Sequence, residues 1–151
     1  MQARHKARET ALQILYRHDM AATSGNVLPT GAPELVRELQ SHFEHFHVDP
    51  ELHEFATRLV AGTVTHLAEL DAILEKYASN WKVERMGSVD RSLLRMSLYE
   101  MLYMPDVPTS VVIDEAIELG KQFGTEDTPA FVNGVLDAIK KGVQAGELKT
   151  V

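Results

Sequence analysis

Apolar residues recur along this chain at helical spacing almost from end to end. In residues 4–22, Ala7, Ala11, Ile14, Leu15 and Ala22 fall on one arc at about 100° per residue, and Lys6, Thr10, Gln13 and Arg17 fall nearly opposite. The pattern predicts an amphipathic helix with a basic outer line. Thr23-Ser24-Gly25-Asn26 followed by Pro29-Thr30-Gly31-Ala32-Pro33 has the composition of a loop. A shorter helix is expected over 34–46, ending before Asp49-Pro50. From Glu51 the stripe Leu52, Phe55, Ala56, Leu59, Thr63, Leu67, Leu70, Leu74, Tyr77 keeps helical spacing and predicts one long helix, with Gly62 as the point for a bend.

After an irregular piece around Asn80-Trp81-Lys82, Ser88 is placed to cap a helix running to about Tyr103, with Asp90 in its first turn, where the helix dipole favours an anion. Leu93 to Leu102 is apolar over most of its circumference, which predicts a central helix. Pro105 and Pro108 break it. Next, Val112, Ile113, Ala116, Leu119 and Phe123 share an arc opposite Asp114, Glu115, Glu118 and Lys121, and Gly124 supplies the stop. A last helix is expected from Thr128-Pro129 to about Gly142. No segment alternates as a strand. The expectation is an all-α bundle of about six or seven helices forming a single domain over residues 1–151.

Composition narrows the function. At 151 residues the chain is the size of one domain. It has no cysteine, which excludes disulfides, thiol nucleophiles and thiolate metal sites. No apolar run approaches the length of a membrane span, and the Met1–Lys6 start lacks a secretion signal's apolar stretch, so a cytoplasmic protein with no membrane association is expected. The net charge is −7, yet residues 1–17 hold Arg4, Lys6, Arg8 and Arg17 against Glu9 alone. An acidic protein with a basic leader coats polyanions poorly but can dock one at a defined place.

Motifs for an enzyme are missing: there is no phosphate-cradling Gly-rich loop, dinucleotide fingerprint, HExxH pair or GxSxG elbow. The carboxylates Asp114 and Glu118 read as an exposed acidic face. His42, His45 and His47 have ligand chemistry, but no carboxylate–His pattern completes a site, and the His-rich end of a surface helix is the preferred reading, with no metal and no cofactor. The basic leader is the stronger lead. Arg4, His5, Lys6, Arg8 and Arg17 offer donors to phosphate, and Tyr16 lies at the border of that face.

Residues 106–139, from Asp106-Val107-Pro108-Thr109 through Phe131-Val132-Asn133-Gly134-Val135-Leu136 to Ile139, closely resemble the signature of the NusB family of bacterial transcription antitermination factors. Lys6-Ala7-Arg8-Glu9 with Ala11-Leu12-Gln13 and Leu15-Tyr16, Leu59-Val60-Ala61-Gly62, and Asp90 to Arg95 are similar to further parts of that family in the same order. Related helical domains are also fused ahead of certain RNA cytosine methyltransferases; a chain ending at Val151 is not expected to carry that catalytic domain.

The resemblance implies a non-enzymatic, all-helical protein that binds boxA-type single-stranded RNA together with NusE, a small-subunit ribosomal protein. With other Nus factors and RNA polymerase, such a pair supports processive transcription of ribosomal RNA operons. By motif position it implies RNA-facing roles for Arg4, His5, Lys6, Arg8, Lys121, Asp127 and Phe131, and partner-facing roles for Tyr16, Glu84 and Asp90. Asn133 and Gly134 are read as structural, through close helix packing and local hydrogen bonding. His5 and Ala130 stand where positive charge is common in the family, so modest affinity without the partner is expected. The alternative is a helical protein-interaction scaffold that binds no RNA.

Overall fold

In unit 1, Met1–His66, helix α1 (Gln2–Thr23) buries Ala7, Ala11, Leu12, Ile14 and Leu15. Helix α2 (Ala32–Phe46) buries Leu35, Leu39 and Phe43, one turn apart, so a single apolar stripe seats it. These details come from a computed structural model that describes residues 2–23, 31–46, 49–79 and 81–150. The Arg17 Nη2 and His18 Nε2 atoms lie 3.1 and 2.8 Å from the carboxylate of Glu38, tying α1 to α2. Helix α3 (Pro50–Thr65) starts as its sequence dictates: Asp49 Oδ1 accepts the Glu51 N–H at 2.9 Å, and Pro50 occupies a first-turn position, where its missing N–H has no consequence. Phe55, Ala56, Leu59 and Val60 are buried, and His53 stacks on Phe43 of α2 at 4.3 Å. Most of the predicted 23–33 loop lies outside the described residues.

The long helix expected from Glu51 to Tyr77 is two helices. The break falls at His66, four residues beyond Gly62. The Gly62 carbonyl accepts the His66 backbone N–H at 3.0 Å, and the His66 Nδ1 stands 2.9 Å from the same oxygen. A side chain that doubles on this carbonyl holds His66 at φ −104°, ψ 19°, out of helical geometry, and terminates α3.

Unit 2, Leu67–Val151, contains α4 (Leu67–Tyr77), a 3₁₀ turn at Val83–Arg85, α5 (Ser88–Tyr103), α6 (Thr109–Phe123) and α7 (Thr128–Gln144). Helix α5 is buried on nearly every side, as its sequence predicts, and packs on α4, α6 and α7. Its start differs from the prediction. Gly87 occupies the cap and Ser88 is the first helical residue, making no capping hydrogen bond. The buried Arg91 takes over this end, donating to the carbonyls of Met86 at 2.8 Å and Val83 at 3.1 Å and so fixing the 3₁₀ turn onto α5. Arg95 forks onto both oxygens of Asp71 on α4 at 2.7 and 2.8 Å. At the far end of α7, the Tyr77 hydroxyl donates to Glu147 at 2.8 Å and its ring fills the space that a side chain at Gly142 would take.

The described residues contain seven α-helices and no strand, as the periodicity predicts. No described helix is long and apolar enough to cross a membrane.

Candidate nucleic-acid interface

The first turns of α1 carry the basic leader, and the structure divides its members. Lys6 is well exposed, with its Nζ 3.8 Å from Glu9, and His5 stands 3.9 Å from the same carboxylate. Surface pairs of this kind contribute only about 0–1 kcal/mol, so a phosphate can displace Glu9 cheaply. Arg4 is exposed, with its guanidinium 4.7 Å over the Phe55 ring. Arg8 differs from its expected role as a surface donor. It is 3% exposed and its guanidinium lies 5.0 Å over Phe55. The helix period gives the reason: Arg8 shares its stripe with Ala11, Leu12 and Leu15, all buried, so the side chain packs with them. Tyr16 is half-buried on the same helix. Of the histidines with ligand chemistry, His45 Nδ1 stands 2.9 Å from the Ser41 carbonyl and His42 meets Phe43 edge-on, while His47 lies outside the described residues.

In unit 2 three of the expected site residues, Asp90, Asp127 and Phe131, line a cleft of about 610 Å³. Its walls include Trp81, Arg85 and Met86 from the segment before α5, Asp90 in the first turn of α5, Phe123 at the end of α6, and Asp127 and Phe131 at the start of α7. Phe131 is half-buried and meets Trp81 edge to face, 5.7 Å between centroids at 65°. It is therefore a cleft wall. Asp127 is exposed and makes no side-chain capping hydrogen bond to α7. Asp90 does more than complement its helix dipole: its Oδ1 accepts the Thr128 hydroxyl at 2.6 Å. Thr128, fully buried, accepts in turn the Thr125 N–H at 3.0 Å. Gly124 makes this possible, because a Cβ there would fall on the Thr128 side chain. The hydroxyl thus ties together the end of α6, the 124–127 turn that carries Asp127, and α5.

Glu84 and Lys121 are exposed in unit 2, Lys121 with its Nζ 3.3 Å from Glu118. Asn133 and Gly134, expected to serve close helix packing, are exposed, and a Cβ at Gly134 would meet nothing within 4 Å. Phe131 is one turn before Gly134 on α7, so the open position continues the cleft's face of that helix. Trp81 is the residue that motif reading passed over. Its signal was present: the chain's single tryptophan stands in a short polar segment with no apolar partner in sequence.

The chain is similar to known proteins along nearly its whole length. A family model described as the NusB family matches residues 5–141. The transcription antitermination protein NusB of Symbiobacterium thermophilum is 43% identical over 142 residues, covering 94% of this chain and 92% of its own length. That of Elusimicrobium minutum is 44% identical over 147 residues, covering 95% and 97%. Among solved structures, T. maritima NusB superposes with a TM-score of 0.79 at 32% identity, covering 96% of this chain and 97% of its own. A crystal structure of the antitermination factors NusB and NusE in complex with dsRNA gives 0.75 at 32% identity, covering 94% and 98%. A family match across nearly the whole length, carried by relatives above 40% identity, establishes that this chain belongs to the NusB family.

Proposed function

We propose that this chain is a transcription antitermination factor that binds boxA-type RNA in its unpaired form together with a NusE-type ribosomal protein, and so supports processive transcription of ribosomal RNA operons. The observation that carries the reading is family membership over residues 5–141, with a NusB of known structure held in one complex with NusE and dsRNA. The exposed cations fit it. Arg4, Lys6 and Lys121, with His5 when protonated, position the RNA through its phosphates, while Asp127 and Phe131 offer a polar edge and an aromatic wall to bases. Arg8 contributes by holding α1 on α3 through Phe55.

Tyr16, Glu84 and Asp90 are the proposed partner contacts. A basic partner meeting Glu84 and Asp90 complements the net charge of −7 and adds the positive surface that the acidic chain lacks. The test is a purified transcription reaction with a terminator placed downstream of a boxA element. Adding this chain with the partner and the other Nus factors is expected to raise read-through, and scrambling boxA to abolish the gain. Equal read-through on both templates would overturn the assignment.

A further inference from the structure

Trp81 is 53% exposed, a costly position for the largest apolar side chain in the sequence. It is nonetheless held in place. Its backbone N–H donates to the Ala78 carbonyl at 2.9 Å, its ring meets that of Phe131 edge to face, and the 3₁₀ turn that follows is pinned by Arg91. A fixed indole at the mouth of a cleft is a preorganised stacking surface, and ordering it on binding costs little entropy. Around it the cleft combines three kinds of group. Apolar walls come from Met86 and Phe123, a carboxylate from Asp127, and a guanidinium from the exposed Arg85.

Resting on the RNA-binding reading above, we propose that this cleft seats one unpaired nucleobase of the transcript, stacked on Trp81. The match is chemical. A base has a flat π face for the indole, an edge of N–H donors for a carboxylate, and a phosphate on its own nucleotide for an arginine. An aliphatic side chain from a protein partner would use the apolar walls and leave Asp127 and Arg85 without a counterpart. The carboxylate favours a base with an exocyclic amine over uracil, because the amine presents an extra donor to Asp127. Trp81 is therefore assigned as a base-binding residue, beside Phe131, which braces it.

The chain's single tryptophan makes the site its own reporter. The experiment titrates the complex of this chain and a NusE-type partner with an end-labelled, unpaired boxA RNA oligonucleotide, reading label polarisation and tryptophan emission together. The Trp81→Phe complex serves as the emission blank. Emission is expected to be quenched along the same isotherm as polarisation. Trp81→Ala is expected to weaken binding about 5- to 100-fold, the range for losing one stacked base, while Trp81→Phe keeps most of the affinity.

A scan of abasic nucleotides through the oligonucleotide needs no protein variant. One position is expected to show the same loss with the native chain and none with Trp81→Ala. RNA binding with unchanged emission and native affinity in Trp81→Ala would overturn the base site and leave the RNA reading standing. No polarisation change with any RNA would overturn both. Quenching by the partner alone, with Trp81→Ala weakening the partner and leaving RNA affinity at the native value, would assign the cleft to protein and also overturn the proposal.

Discussion

Replacing Thr128 by valine removes one hydroxyl from a fully buried position while keeping the side chain's shape. Three contacts go with it: the 2.6 Å donation to Asp90, the 3.0 Å bond accepted from the Thr125 N–H, and a long 3.4 Å contact with the Thr125 hydroxyl. A bond to a charged acceptor contributes roughly 1.5–3 kcal/mol, and a stranded N–H costs about 1 kcal/mol or more. Asp90 is only half-buried, so water re-solvates part of its carboxylate after the change. The lower half of the range therefore applies, and Thr128→Val is expected to destabilise the chain by about 2 kcal/mol. For a chain of this length that lowers the melting temperature by roughly 4–8 °C.

Denaturant unfolding of Thr128→Val, Asp90→Ala and the double variant gives the coupling directly, expected at about 1.5 kcal/mol. The 124–127 turn loses its anchor with the hydroxyl, so amide exchange there is expected to rise more than in α4. A Thr128→Val chain within about 0.5 kcal/mol of the native one, or a coupling below that value, would refute the claim that this hydroxyl organises the turn carrying Asp127.

The two basic residues of α1 that separate by burial are expected to separate in experiment. Lys6→Ala should leave stability nearly unchanged and reduce the slope of log affinity against log salt by about 0.7, one phosphate contact on a single strand. Arg8→Ala should instead lower stability by removing packing against Phe55; an unchanged midpoint in denaturant would contradict its placement. Tyr103 donates to both oxygens of Glu69 at 2.7 and 2.9 Å, and that bond raises its pKa from 10.0 to about 12. The folded state holds this proton more tightly than the unfolded one. Its contribution to stability is therefore whole below about pH 10 and fades as pH rises towards 12. Tyrosinate absorbance titrations of the native and Tyr103→Phe chains should differ by one late step, and that step should shift down in Glu69→Gln; a step left in place would refute the cause.

Much of the architecture was legible because helix period and caps are local signals. The runs that became α5, α6 and α7 show their stripes, prolines and stops in sequence. The break at His66 was hidden because two groups of one residue share the Gly62 carbonyl, a contact no stripe encodes. Arg8 was misplaced by charge, although its spacing to Ala11, Leu12 and Leu15 already put it on the buried face. Gly124 was identified as a stop, but the physical reason is room for Thr128; its φ of −94° needs no glycine. The cleft was not legible as a unit, since its walls come from two stretches, 81–90 and 123–131, brought together only by packing. Motif position reached Asp127 and Phe131; Trp81 showed itself only as a lone tryptophan in a polar segment, and packing brings it against Phe131.

The central claim is that this chain, with its partner, reads a defined unpaired RNA. Equilibrium binding of boxA-type and scrambled oligonucleotides, with and without the NusE-type partner across a salt series, tests it most directly. The account predicts weak binding by the chain alone, and a gain with the partner that is much larger for boxA than for the scrambled sequence at physiological salt. Equal affinity of the complex for both sequences would contradict it.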